Sequence, residues 1–284
     1  ASDVYKRQNY GSKKGKDEII AMTSSFHGRT IGALSVGSNK KYKSNIGPVP
    51  GKVKFCKFND VSHLKKLVNK KTVAIIIEFV QGDGGINICS KNFAKAIKEI
   101  CKNKKILLIG DEIQGGIGRT GKIFAYKHYG VNPDIITSAK GLGSGIPIGA
   151  TIVKKYISKI ISTGFHGSTF GGGMLQTRVS YNVFRTINNK SFLNKVLING
   201  NLLSSLIKKM HLLHKDKIVD TRCLGLMAGV EFKNNQIALK TYEKMSKNGL
   251  ISTLIQGNII RLTPPLTVST GEIRKAIKII TQSL

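Results

Sequence analysis

A chain of 284 residues, 40% of them hydrophobic, can bury one or two cores, and no stretch approaches the roughly 20 consecutive apolar residues of a membrane span. The formal charge of +31 has the sign of a nucleic-acid binder, but lysine is spread along the chain beside abundant Ile and Asn. A/T-rich codons account for that composition, and clustered arginines with interleaved aromatics are missing, so no specific nucleic-acid partner is expected.

Residues 1–8, Ala-Ser-Asp-Val-Tyr-Lys-Arg-Gln, match the in-frame translation of a transposon adapter used to prepare sequencing libraries. They are expected to be an assembly scar outside the fold. Glu18–Met22 and residues 73–78 are apolar runs that read as strands. Ser90 is placed as a helix N-cap, after which Phe93, Ala94, Ala96, Ile97 and Ile100 form one apolar face. Residues 106–109 leave no polar face and read as a buried strand, with Asp111 just past its end, where open α/β sheets place their ligands. A second run, residues 134–137, leads into Ser138-Ala-Lys140 and the turn Gly141-Leu-Gly-Ser-Gly145. Helices are expected over Met174–Ile187 and residues 192–213. After Asp220 the pattern shortens to a strand at 226–232, a helix at 238–247 and a strand at Ile259–Leu262. Ser269 and Glu272 have the spacing of a capping box that starts a last helix. Apolar runs alternating with helical patterns predict βα units and a mainly parallel sheet, with a large domain over residues 9–200 and a small one over 201–284.

Cys56, Cys89, Cys101 and Cys223 lack metal or redox spacing and read as reduced thiols in a cytoplasmic protein, with no metal site. The chemistry concentrates at two strand ends, one offering the carboxylate of Asp111 and the other the amine of Lys140. A lysine before glycines is often merely solvated, and an aspartate after a strand is often a helix cap. Here Ile135, Ile136, Leu142 and Ile146 surround the lysine. The pair suits a cofactor that needs an amine nucleophile and a charge partner, as pyridoxal phosphate does.

Seven segments occur in one order: Phe26-His-Gly-Arg-Thr30, Glu78-Phe-Val-Gln-Gly-Asp83, Asp111-Glu-Ile-Gln114, Gly118-Arg-Thr-Gly121, Ser138-Ala-Lys140, His166-Gly-Ser-Thr169 and Arg261-Leu-Thr-Pro-Pro265. That series resembles the class III aminotransferases. The resemblance implies the fold type I architecture of pyridoxal-phosphate-dependent transferases. This is an α/β large domain built on a mainly parallel sheet with helices on both faces, plus a small α+β C-terminal domain.

It also implies roles. Lys140 would hold the cofactor and move a proton at the substrate α-carbon, and Asp111 would pair with the pyridinium nitrogen. Gln114 would bind the ring hydroxyl, Phe26 would stack on the ring with His27 beside it, and Thr169 would reach the phosphate of a neighbouring subunit's cofactor. A homodimer with shared active sites follows from that last role. Arg29 and Arg261 would take the two carboxylates of glutamate or 2-oxoglutarate, with Glu78 and Asp83 also at the substrate site.

Asp83 departs from the family's glutamate by one methylene, which bears on the switch between substrates. Phe170-Gly-Gly-Gly-Met174 departs from the usual Tyr-Gly-Gly-Asn-Pro. N-acetylornithine is the first choice of amino donor, on Phe26-His27 in place of the Phe-Trp of many ornithine-specific members. Ornithine, succinylornithine, succinyldiaminopimelate and 4-aminobutyrate stay open. Family members carry an upstream phosphate-binding turn that is absent from this sequence. The chain is therefore expected to be N-terminally truncated, with an inactive fragment as the rival reading.

Overall fold

The structure, a computed structural model, describes residues 15–164 and 166–284; the expected scar at residues 1–8 lies outside them. In chain order the strands are β1 (Glu18–Met22), β2 (Lys52–Cys56), β3 (Thr72–Ile77), β4 (Val80–Gln81), β5 (Asn87–Ile88), β6 (Leu107–Asp111), β7 (Ile135–Ser138), β8 (Ala150–Val153), β9 (Ile218–Leu224), β10 (Met227–Phe232), β11 (Thr253–Ile255) and β12 (Ile259–Leu262). The α-helices are α1 (Ile31–Val36), α2 (Val61–Leu67), α3 (Lys91–Lys104), α4 (Lys155–Ser158), α5 (Met174–Ile187), α6 (Lys190–Leu213), α7 (Asn235–Lys247) and α8 (Thr270–Ser283). Two compact units divide the chain. One takes residues up to Phe79, Cys89–Gln114 and Tyr126–Phe184; the other takes Val80–Ile88, Gly115–Ala125 and Arg185–Leu284. Residue 200, the boundary expected from sequence, falls inside α6.

The first unit is built on a six-stranded sheet in the order β2-β1-β3-β6-β7-β8. The first five strands are mutually parallel and β8 runs antiparallel at the edge. Central strand β3, Thr-Val-Ala-Ile-Ile-Ile, is buried at every residue. That is why it reads as a continuous apolar run: parallel strands covered on both faces need no polar side. Ile19, Ala74, Ile76, Leu107, Ile109 and Ile135 pack into one core there. The N-cap of α3 forms as expected, with Ser90 Oγ accepting the Phe93 N–H at 3.1 Å. Phe93, Ala94, Ala96, Ile97 and Cys101 form the buried face, and Ile100 sits at its margin.

The second unit carries an antiparallel sheet in the order β11-β12-β10-β9 and the hairpin β4–β5. Its core joins Leu203, Ile207 and Met210 of α6 to Val230 and Phe232 of β10 and to Ile273 and Ile277 of α8. The capping box at the start of α8 is complete, with Ser269 and Glu272 satisfying each other's backbone N–H.

Candidate active site

In the first unit β6 extends two residues beyond the apolar run, through Gly110, so Asp111 is its last residue. The parallel register sets Asp111 opposite Thr137 of β7, and this juxtaposition builds the site. A cavity of about 210 Å³ opens here, its wall including Asp111, His27, Thr137, Ser138 and Ala139. Asp111 is 6% exposed. Its Oδ1 accepts hydrogen bonds from Thr137 Oγ1 and from the Ile113 N–H, each at 3.1 Å. Its Oδ2 lies 2.6 Å from His27 Nδ1. An ionised carboxylate can only accept, so that ring nitrogen carries the proton. A carboxylate offers roughly four acceptor positions, so these partners fix its plane and leave capacity for one more donor.

Ser138 is 3% exposed, and its Oγ has no hydrogen-bond partner among the described residues. A buried hydroxyl without a partner costs about 1–3 kcal/mol, which is tolerable at a wall that a polar ligand covers. Lys140 follows two residues later, exposed, at the head of a single 3-10 turn. Its φ of 47° is left-handed, a strained conformation for a lysine that clusters at functional sites. Gly143 closes the turn beneath the Ile146 carbonyl, where no Cβ fits.

These residues fit pyridoxal phosphate. Asp111 would meet the protonated ring nitrogen, Ser138 would donate to a ring or phosphate oxygen, and Lys140 would supply the amine at the mouth of the turn. Phe26, Arg29 and Gln114 are not on the cavity wall. Phe26 packs edge-to-face on Tyr42, with centroids 5.9 Å apart, and Arg29 lies over the Tyr42 ring. Glu78, expected at the substrate, is 2% exposed, and its Oε2 accepts the Phe26 N–H at 3.0 Å. Its carboxylate anchors the Phe26–His27 segment. Thr169 is exposed, in the loop before α5.

In the second unit Arg261 Nη1 donates to Asp83 Oδ1 at 2.8 Å. The shorter aspartate therefore still reaches the arginine, and the Gln256 amide grips the Asp83 carbonyl at 2.7 Å. Arg119, from the Gly118-Arg-Thr-Gly121 segment, donates to the carbonyls of Leu226 and Pro264. Burial lowers its pKa to about 10. It braces the turn before β10 and the loop after β12, and sequence reasoning had given it no role. Burial also pushes the thiols of Cys56, Cys89 and Cys223 up to about 12, and Cys101 higher still, so none is poised as a nucleophile.

The sequence profile of the family "Aminotransferase class-III" matches residues 1–284. The chain belongs to the class III aminotransferases. It is 39% identical over 273 residues to "Ornithine aminotransferase 1" of Staphylococcus saprophyticus, covering 95% of this chain and 68% of that protein. It is 40% identical over 260 residues to "Acetylornithine aminotransferase" of Methanocaldococcus jannaschii, covering 90% and 64%. This class III chain also superposes on an ornithine aminotransferase from Toxoplasma gondii, crystallised with partial occupancy of pyridoxal phosphate at its active site. That match has a TM-score of 0.91 and 29% identity, over 99% of this chain and 68% of that one. The aminotransferase chain thus spans about two thirds of the length of these relatives.

Proposed function

We propose that this chain serves pyridoxal-phosphate-dependent transamination, passing an amino group from N-acetylornithine to 2-oxoglutarate in arginine biosynthesis. The reading is carried by Asp111, a carboxylate clamped by His27 and Thr137 at a strand end, with Lys140 at the end of the neighbouring strand. When bound, pyridoxal phosphate supplies an electron-accepting ring that makes the proton on the substrate's amine-bearing carbon removable. Asp111 would hold a proton at the ring nitrogen, with His27 and Thr137 keeping that carboxylate in plane. The Lys140 amine would attach the cofactor and move the proton at the carbon that bears the substrate's reacting amine. Phe26 would cover a ring face and Gln114 would meet the ring hydroxyl. Arg29 and Arg261 take the substrate carboxylates, with Asp83 occupying Arg261 when only one is present.

Thr169 precedes exposed Phe170, Met174 and Leu175 in the chain, apolar side chains suited to a second copy that would receive the Thr169 hydroxyl at its cofactor phosphate. A cytoplasmic homodimer is the form proposed. Free ornithine is the rival donor, since a relative named for it is about as similar to this chain as those named for acetylornithine.

The test is a visible spectrum of the purified chain with pyridoxal phosphate, beside Lys140→Ala. A band that requires Lys140 and shifts on adding N-acetylornithine is the expected result. A spectrum identical in the two proteins would overturn the assignment for this chain. A donor panel then ranks N-acetylornithine against ornithine, and faster turnover of ornithine replaces the donor.

A further inference from the structure

We propose that Tyr42 is a positioning residue for Arg29, holding its guanidinium ready for the distal carboxylate of a dicarboxylic substrate. The inference rests on the function proposed above and adds a residue to it. Arg29 is exposed, and among the described residues it makes no ion pair, whereas Arg261 is paired with Asp83. What holds Arg29 is aromatic: its guanidinium carbon lies 4.1 Å from the Tyr42 ring centroid and 6.0 Å from that of Phe26. A carboxylate partner would neutralise the arginine and compete with the substrate. An aromatic face orients the cation and leaves its charge and N–H donors to an incoming carboxylate.

The ring is fixed independently of the arginine. Tyr42 ends a single 3-10 turn, Lys40–Tyr42, capped where Asn39 Oδ1 accepts the Lys41 N–H at 3.0 Å. The segment before that turn is tied to the Phe26 segment in both directions. Ser38 Oγ accepts the Ser25 N–H at 3.1 Å, and the Ser38 N–H donates to the Ser25 carbonyl at 3.4 Å. Phe26 in turn meets Tyr42 edge-on at an interplanar angle of 80°. Two backbone segments thus hold one aromatic platform. Arg29, with a long side chain that loses rotamer freedom on binding, has much of that ordering done in advance.

The experiment is calorimetric titration of glutarate, a dicarboxylate that cannot react, into the pyridoxal-phosphate-loaded chain and its variants. Tyr42→Ala and Tyr42→Leu, the latter retaining apolar bulk without a π-face, are each expected to weaken glutarate by about five-fold. Tyr42→Phe keeps the wild-type affinity. In an Arg29→Gln background the Tyr42→Ala change adds nothing further. In turnover, KM for 2-oxoglutarate rises while kcat is kept. Wild-type glutarate affinity in Tyr42→Ala, or an equal loss with and without Arg29, overturns the proposal alone. Failure of the wild-type chain to bind glutarate overturns the proposed function and this inference with it.

Discussion

Asp111 shows how much chemistry a single side chain gains from its neighbours. Its Oδ1 takes hydrogen bonds from Thr137 and the Ile113 backbone, and its Oδ2 faces His27, so its orientation is set by three elements. The contributions differ in kind. Asp111→Asn removes the charge proposed to face the ring nitrogen, and an electrostatic group of this type is worth about 10²–10³-fold in rate. Thr137→Val removes one hydrogen bond to a carboxylate that keeps two others, about 1 kcal/mol or several-fold. Single-turnover rates of the amino-donor half-reaction are expected to rank wild type, Thr137→Val, then Asp111→Asn far below; equal losses would sink this apportioning. Asp111 and Lys140 stand out in the sequence because each closely follows a short apolar run, residues 106–109 and Ile135-Ile136. Thr137 and Ser138 stood in the quoted sequence without a role, because what gives them one is the pairing of Asp111 with Thr137 across two strands. Register between strands is not written in either strand alone.

Elements divide along the same line. The central strands β1, β3, β6 and β7 and the inner strands β10 and β12 were readable as apolar runs, since burial on both faces or against a core demands them. The strands that escaped, β2, β8, β9 and β11, are the outer strands of the two sheets. β9, Ile-Val-Asp-Thr-Arg-Cys-Leu, carries Asp220 and Arg222 within an edge strand, where polar side chains reach solvent and discourage further pairing. The hairpin strands β4 and β5 are two residues each, too short for any periodicity. Helix caps, by contrast, are local chemistry, and Ser90 and Ser269 were found where expected.

Gly200 in α6 sets a local preference against packing. Alanine is favoured over glycine in a helix by about 0.8–1 kcal/mol. A Cβ at Gly200, however, would lie 2.5 Å from the Gly225 carbonyl oxygen and 2.6 Å from its Cα, and backbone cannot rotate aside. Overpacking of this kind costs roughly 1–3 kcal/mol and exceeds the helical gain. Gly200→Ala should therefore lower stability by up to about 2 kcal/mol, read as a lower urea midpoint at unchanged slope. Ser205→Ala, at an exposed position of the same helix, should stay within about 0.5 kcal/mol of wild type. A stabilised Gly200→Ala would show that α6 has room to shift.

At the scale of the whole molecule the charge of +31 dominates. Lys91, Lys95, Lys98 and Lys102 recur along α3 at helical spacing, with Glu99 as the only acid in that helix. Such faces repel one another through water over a Debye length of about 10 Å at 0.1 M salt. Raising sodium chloride from about 0.01 M to 0.3 M at pH 7 should therefore raise Tm. Acid acts through a second route. Glu18, bonded to Lys54 and Asn69, has its pKa lowered, as do Asp60 through the His63 N–H and Glu272 through Ser269.

For groups depressed in the folded state, the stability they supply is complete above their ordinary values of 4.5 for glutamate and 3.8 for aspartate. It is lost as pH falls below those values, through the folded pKa. Protonation also adds net positive charge to a chain already strongly cationic. Salt screens the added repulsion, but it cannot restore a hydrogen bond that a protonated carboxyl no longer accepts. A calorimetric series from pH 7 to pH 3 should show Tm falling most steeply below about pH 4.5, with high salt recovering part of the loss. Full recovery by salt would assign the acid sensitivity to net charge alone. A Tm at pH 7 that falls with salt would mean that the fold's ion pairs outweigh the repulsion among its lysines.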